Sequence, residues 1–523
     1  MCARRPERPD TMGVTQTLPA SRSRRMPALI AACLTALMFG LEISSVPAIL
    51  PTLEKALPAD FKEMQWIMNA YTIAVTGVLM AAGTLADRYG RKRVFLIAIM
   101  AFAIASLACG LAPNATVLIV ARMFQGLSGG AGLICSVAIL SQQFREPAER
   151  AMAFSVWGVV FGIGLGFGPV IGSGIVALSG WQWVFLVHTP TAVGTALLAL
   201  AAISESCDPA AERLDVGGIV TLSLSVFCLA YFITQGPDLG FTSPQALTIL
   251  AIAAASFIAF LLVERTVSRP MIDVSVFKIR AFSGAIIGAA AMNVSYWPFM
   301  IYLPIWFEAG LGYDGLTAGL VLLAYTLPTL AVPPLAEQLA RRYRAGIVIP
   351  AGLFTIGLGF MAMKLGTSAA APSWLTMLPG CLLSGIGIGL ANTPVTNTST
   401  AAVPAERAGM ASGIDLSARM ISLAINIALM GFILVEAVRA SLAAKLAAGI
   451  DATALRNLAE KVAAGAPSPE TGLSAALTRQ ALADGFGAVT LYGGIGVWLL
   501  AVASLVVFAR APAPKGAVSC PAE

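Results

Sequence analysis

The chain is short of charge and almost without imidazole. Asp, Glu, Lys and Arg make up 11% of its 523 residues, and His188 is the only histidine. Soluble chains carry about 25% charged residues, so this composition cannot clothe a water-facing globular surface. That excludes an ordinary cytosolic or secreted enzyme, a disordered chain and a nucleic-acid-binding protein. A histidine-built metal centre or a Ser-His triad would have to centre on His188, which disfavours hydrolytic chemistry. The eight cysteines (Cys2, Cys33, Cys109, Cys135, Cys207, Cys228, Cys381 and Cys520) are scattered, mostly in apolar stretches, with no CxxC and no metal-ligand spacing. They read as small apolar packing residues. No G-x-x-x-x-G-K-[ST] string occurs, so ATP-driven chemistry within this chain is disfavoured. No metal, cofactor or enzymatic activity is expected.

What abounds is apolar: 58% of the residues are hydrophobic and the mean hydropathy is +0.82. A helix crosses the hydrocarbon of a bilayer in about 20 residues. Fourteen stretches of that length occur, near 27–51, 64–86, 94–112, 115–140, 151–178, 183–203, 216–236, 244–263, 281–307, 316–338, 346–366, 374–397, 409–437 and 486–509. They are continuous and rich in Ala, Leu and Gly, without the alternation of barrel strands. The fold class is therefore an all-α integral membrane protein. The first stretch follows Arg22, Arg24 and Arg25, but it is too long for a signal peptide, contains Glu42 and lacks a small-residue cleavage site.

With the N-terminus placed in the cytoplasm, cytoplasmic segments hold 23 of the 33 Lys and Arg, external segments hold 8, and Arg122 and Arg419 fall inside spans. The positive-inside rule then favours fourteen spans with both termini cytoplasmic in the inner or plasma membrane. Trp66, Trp181, Trp183, Trp306 and Trp374 fall near external span ends, as in an interfacial aromatic belt. The spans group as 6+2+6: a disordered cytoplasmic head (1–25), a six-helix bundle (26–203), a linker with two extra transmembrane helices (204–280), a second six-helix bundle (281–510) and a cytoplasmic tail (511–523). The second bundle includes an external loop, 438–484, in which Leu455–Ala464 reads as a short amphipathic helix.

Several residues carry more than hydropathy. Gly83-Thr84-Leu85-Ala86-Asp87-Arg88-Tyr89-Gly90-Arg91-Lys92-Arg93 is a charged turn between two spans. Four basic residues alone would make it a topological anchor. Arg122 lies within a span, where a charge costs several kcal/mol unless it meets a cavity or a partner; an ion pair and a functional role both fit. Glu42 sits near the middle of the first span. A carboxylate there can pick up a proton on one side and release it on the other, or form a buried pair with an arginine. Asp415 and Arg419, four apart, share one helix face; a static ion pair and a second proton-handling group are both open. Span five carries Gly164, Gly168, Pro169 and Gly172. Glycines at four-residue spacing let helices touch backbone to backbone, and Pro169 bends the span. Tyr71, Trp157, His188, Tyr296, Trp297 and Tyr325 are candidates to line a cavity for an amphipathic or cationic small molecule, or else simply pack.

The G-x-L-A-D-R-x-G-R-K-R string resembles the loop between spans two and three of the major facilitator superfamily. Further motifs, from about residue 26 to 510, resemble its fourteen-span drug:proton antiporters. The resemblance implies two pseudo-symmetric six-helix bundles rocking about a central site. It makes Gly83, Asp87, Arg88, Gly90 and Arg91 a conformational latch. In the second half the matching place reads Glu337-Gln338-Leu339-Ala340-Arg341-Arg342-Tyr343, without the aspartate. Arg122, in R-x-x-Q-G, is implied in proton movement. Gly164-x-x-x-Gly168-Pro169-x-x-Gly172-Ser173 resembles the motif that marks exporters, with Ser173 where the family usually has glycine. Glu42 stands where the family has an aspartate-centred motif, and Asp415 where it usually has Asn. The implied function is a proton-motive-force-driven multidrug or antibiotic exporter. Export of one endogenous metabolite or siderophore, uptake by a symporter of the same fold, and a non-transporting receptor are the alternatives. The expected partners are the lipid bilayer, protons, a small-molecule substrate and, as a further option, a periplasmic adaptor with an outer-membrane channel; nucleic acid is not among them.

Overall fold

The computed structural model describes residues 22–144, 146–206, 215–266, 274–369, 371–403, 408–446, 451–465 and 473–509. Helix dominates them, and no strand occurs among the described residues. The first bundle holds α1 (Arg22–Ala48), α2 (Leu50–Ala56), α3 (Phe61–Tyr89), α4 (Arg91–Gly110), α5 (Ala115–Gln143), α6 (Pro147–Ser179), α7 (Gln182–Leu186) and α8 (His188–Ala202). A hairpin of α9 (Val216–Leu239) and α10 (Pro244–Thr266) follows. The second bundle holds α11 (Arg280–Val294), α12 (Tyr296–Ile305), α13 (Gly315–Thr326), α14 (Pro328–Ala331), α15 (Pro333–Tyr343), α16 (Ala345–Thr367), α17 (Trp374–Ala401), α18 (Ala408–Lys445), α19 (Ala452–Ala464) and α20 (Ala475–Ala509).

Thirteen helical segments among the described residues are long and apolar enough to cross a membrane, and each overlies one of the expected stretches. At the remaining stretch, 64–86, stands α3, whose 29 residues measure about 44 Å at the helical rise. Helix starts follow local chemistry. Asp60 accepts from the Glu63 amide while the Glu63 side chain accepts from the Asp60 amide, a closed capping box. Asn114 caps α5 and Asp215 caps α9. Asp314 caps α13, and the Thr317 hydrogen bond holds its carboxyl below the usual range. Proline sets the breaks that hydropathy does not register: α13 gives way to α14 at Pro328 and α14 to α15 at Pro333, where the ring removes a ladder donor.

Within the first bundle α1 packs on α6, α3 on α5, and α4 on α5 and α8; within the second, α16 packs on α17 and α20, and α11 on α17 and α20. The hairpin leans by α9 on both α3 and α18. The bundles meet where α3 touches α18, α6 touches α13 and α14, and α1 touches α12.

The two ends of this seam differ. At the end carrying α2 and α19, one apolar cluster joins both bundles through Leu50, Leu53, Phe61, Tyr302, Trp306 and Val462. Ion pairs close over it: Lys62 of α3 meets Asp238 of α9 and Glu460 of α19, and Arg456 meets Asp238, Glu436 and Glu460. Toward the opposite end, which carries Gly90, the bundles keep separate clusters, one around Phe95, Ile99 and Ile139 and the other around Phe282, Val403 and Ile414. A cavity of about 460 Å³ opens there between α11, α15 and α17, lined by Glu337, Pro394, Asn397 and Thr398 among others.

Three expectations change. Trp306 is fully buried against Phe486, and Trp181 is buried beside Phe185, so neither belongs to a lipid-facing belt; Trp183 and Trp374 stay exposed. Trp66 packs on Phe227 and Tyr231 of the hairpin. The connection 438–484 is mostly helix: α18 runs on to Lys445, α19 covers the amphipathic run Leu455–Ala464, and α20 starts at Ala475. Residues 1–21 of the expected head, 207–214 and 267–273 of the linker, and the tail lie outside the described residues, as do Cys2, Cys207 and Cys520. The other five cysteines are buried and in no disulfide.

Candidate functional site

The glycines of α6 set the site by letting α1 come close. A Cβ at Gly164 would stand 2.9 Å from the Leu37 carbonyl, one at Gly168 1.8 Å from Ser44 Oγ, and one at Gly172 2.7 Å from Ser45 Cβ. Ser44 seals the contact by donating to the Gly164 carbonyl at 2.9 Å. Pro169 lies within α6 one residue beyond. On the next helix pair, Gly126 admits the Tyr71 backbone of α3, 2.4 Å from where a Cβ would be. These approaches bring Glu42 of α1, Tyr71 of α3, Arg122 of α5 and His188 of α8 into one cluster.

Glu42 and Arg122 are both 0% exposed. Arg122 Nη1 donates to Glu42 Oε2 at 2.5 Å and to Gln125 Oε1 at 2.6 Å, and its Nε donates to the Ile67 carbonyl at 3.2 Å. Gln125 Nε2 donates to Glu42 Oε1 at 2.7 Å and to Ser106 Oγ at 2.9 Å. His188 Nε2 stands 3.1 Å from Glu42 Oε1. The guanidinium lies over the Tyr71 ring, 4.2 Å from its centroid, a cation–π contact in a dry setting. Removing either charge would strand the other, at a cost of about 3–5 kcal/mol. The arrangement can therefore register the gain or loss of one proton as a change in how α1, α5 and α8 are tied together.

The second charge pair is built differently. Arg419 Nε donates to Asp415 Oδ2 at 3.1 Å within α18, and its two terminal nitrogens donate to Asn392 at 2.6 Å and Thr396 at 3.1 Å of α17. Asp415 Oδ1 is buried without a hydrogen-bond partner. The two charge clusters sit in different bundles.

At the turn between α3 and α4, Gly90 takes φ +106°, a conformation that favours glycine. Arg88 is exposed and lies over Tyr89. The Arg91 amide donates to the Ser206 carbonyl, and Arg91 Nη1 reaches Gln142 at 3.4 Å. Glu205, in the connection after α8, accepts from the Lys92 and Arg93 amides at 3.1 Å each and so caps α4. Gly83 faces Ile134 of α5. The Asp87 side chain lies outside the described residues.

Sequence profiles decide the family. The profile of the Major Facilitator Superfamily matches residues 30–426 and again 285–513. The chain belongs to this superfamily. Among its relatives in the superfamily, the multidrug resistance protein Stp of Mycobacterium tuberculosis is 31% identical over 452 residues, covering 86% of this chain and 84% of that protein. The tetracenomycin C resistance and export protein of Streptomyces glaucescens is 28% identical, covering 82% and 79%. A POT family transporter crystallised with 5-aminolevulinic acid superposes with a TM-score of 0.62 over 91% of this chain and 95% of that one, at 14% identity. This likeness shows the major facilitator fold. The chain is thus a multi-pass membrane transporter of the superfamily.

The aromatic candidates divide. Tyr71 and His188 join the charge cluster. Trp157 is half-buried, stacks on Phe161 and donates to Ser136 Oγ at 3.3 Å. Tyr296 and Tyr325 are fully buried and stacked, 4.1 Å between centroids, each hydroxyl donating to the other's backbone carbonyl; in this conformation they face each other. Trp297 packs edge-on against Tyr296. Sequence reasoning did not single out Gln125 or Glu205. Gln125 stands inside the R-x-x-Q-G string, so its signal was present, whereas nothing in one sequence ties Glu205 to residues more than a hundred positions away.

Proposed function

We propose that this protein is a proton-driven exporter of amphipathic or cationic drugs and metabolites. The observation that carries the reading is the wholly buried Glu42–Arg122 pair, cross-tied to α8 in the heart of a major facilitator bundle. A proton reaching Glu42 releases the charge holding Arg122 and loosens α1 from α5; loss of the proton restores the tie. One proton supplies about 1.4 kcal/mol per pH unit and about 2.3 kcal/mol per 100 mV, enough to drive uphill exchange. The resistance and export relatives, multidrug and tetracenomycin C among them, support the direction, as does the tight α1–α6 seam formed by Gly164, Gly168 and Gly172.

In this reading α3 is the fourteenth crossing, giving 6+2+6 spans with bundles at 26–203 and 281–510, the hairpin within 204–280 and both termini in the cytoplasm. The Gly90 face is then cytoplasmic, and the turn at Gly83–Arg91 is its latch. The joined core at α2 and α19 supports a conformation closed to the outside, with the cavity beside Glu337 facing the cytoplasm. Asp415 and Arg419 form a fixed charge pair flanking the route of the substrate. In sealed vesicles carrying the purified protein, an imposed acid-side gradient drives ethidium uphill, and Glu42→Gln abolishes that drive while the protein still inserts. Uphill transport with both the pH and voltage gradients collapsed would refute the proposal.

A further inference from the structure

We propose that His188 is the proton-accepting partner of Glu42, so that the coupling proton is held in the hydrogen bond between Glu42 Oε1 and His188 Nε2. The inference rests on the reading of Glu42 as the proton site and goes beyond it by naming where a bound proton points.

The reasoning is a count of donors and acceptors. Both Glu42 oxygens already accept, Oε2 from Arg122 Nη1 and Oε1 from Gln125 Nε2, and His188 Nε2 stands 3.1 Å from Oε1. A guanidinium can only donate. The amide of Gln125 could accept through its oxygen, but that oxygen already takes the Arg122 Nη1 proton at 2.6 Å, which fixes the amide with its NH₂ toward Glu42. A carboxyl that has gained a proton must donate it, and neither Arg122 nor Gln125 can receive it. Neutral imidazole has one nitrogen that accepts, and His188 Nε2 lies 3.1 Å away. When Glu42 is ionised the same nitrogen carries hydrogen and donates; an arriving proton is taken at His188 Nδ1 as the Nε2 hydrogen passes to Glu42 Oε1, and the ring, now in the other tautomer, accepts from the carboxyl. The pair gains one proton, which resides on Glu42, and the imidazole stays neutral throughout.

The setting keeps this bond dry and isolated. His188 is buried, with Phe102 edge-on at 5.8 Å. Of the elements packed on α8, α1 brings Glu42 and α4 brings Cys109, while α7 (Gln182–Leu186) brings no titratable group. Just beyond Glu42 stand Arg122 of α5 and Tyr71 of α3.

The test is infrared difference spectroscopy of the reconstituted protein during pH titration, paired with gradient-driven ethidium transport. Wild type shows a carboxylic C=O band that titrates, and Glu42→Gln lacks it. In His188→Leu the band moves to higher wavenumber, and the external proton concentration for half-maximal transport rises about tenfold, the effect of one lost buried hydrogen bond. His188→Gln, whose carbonyl can accept, returns both readouts toward wild type. Should the leucine variant fail to fold, His188→Asn, polar but too short to reach Glu42, gives the same displacement. A band and a pH profile unmoved in His188→Leu or His188→Asn overturn the inference, as does a His188→Gln variant as defective as His188→Leu. If instead Glu42→Gln keeps the band and the proton drive, the reading of Glu42 itself is what fails.

Discussion

The two bundles handle buried charge in opposite ways. In the first, Glu42 is tied to residues on other helices, Arg122 and Gln125 on α5 and His188 on α8, and both of its oxygens are engaged. In the second, Asp415 finds its charge partner four residues along its own helix, accepts one hydroxyl hydrogen bond from Thr396 of α17 at 3.2 Å, and keeps its other oxygen unpartnered. A proton on Glu42 therefore loosens α1 from both α5 and α8, whereas a proton on Asp415 loosens mainly its own-helix pair and a single hydroxyl contact to α17. The turns repeat the contrast. Gly90 takes its positive φ freely, while the corresponding turn of the second bundle forces Arg344 to φ +67°. Fold symmetry does not extend to the chemistry it holds.

The sharpest way to break this comparison is to neutralise each acid. Glu42→Gln should lose all gradient-driven efflux in vesicles, while Asp415→Asn keeps it with altered apparent affinity; equal loss in both would erase the distinction. Next, Arg122→Leu strands Glu42 and should cost about 3–5 kcal/mol, read by thermal unfolding in detergent, and a double Glu42→Gln/Arg122→Leu variant should recover much of that. Gly168→Ala drives a methyl into Ser44 and should cost about 1–3 kcal/mol, whereas Gly174→Ala, with nothing within 4 Å, should be neutral in the same assay. Arg344→Gly relieves the strained turn and should gain about 1 kcal/mol, a gain that no substitution at Gly90 can mirror. The smallest effect is at the α19 face. Lys62→Ala should change stability by about 1 kcal/mol or less, yet measurably speed the opening of that face as followed by a fluorophore beside it.

Much of the fold was legible because uninterrupted apolar runs leave helix as the membrane solution, and the runs at 115–140 and 346–366 lie within α5 and α16. What escaped was local or long-range. Hydropathy is blind to the breaks at Ser295 and Pro328, since the stretches around them stay apolar enough on average to read as continuous spans. Trp306 near a span end reads as a belt residue, and only packing against Phe486 reveals it as core. The two candidate charges Glu42 and Arg122 were visible singly, but their contact joins residues 80 positions apart and no periodicity encodes it. His188 stood among the aromatic candidates because its neighbour, Glu42, is far away in the chain.

One helix surface has a consequence of its own. Gly164, Gly168 and Gly172 turn toward α1, but Gly162 and Gly166 turn toward Leu330 across the seam, and the Gly166 carbonyl accepts from Thr326 at 2.6 Å. Smooth on both flanks, α6 is a spindle on which one lobe can swivel against the other without ratcheting side chains past each other. A compound wedged between Gly162 and Leu330 would jam that spindle far from any ionisable group. Resistance to such an inhibitor could not then arise by retuning the acid site.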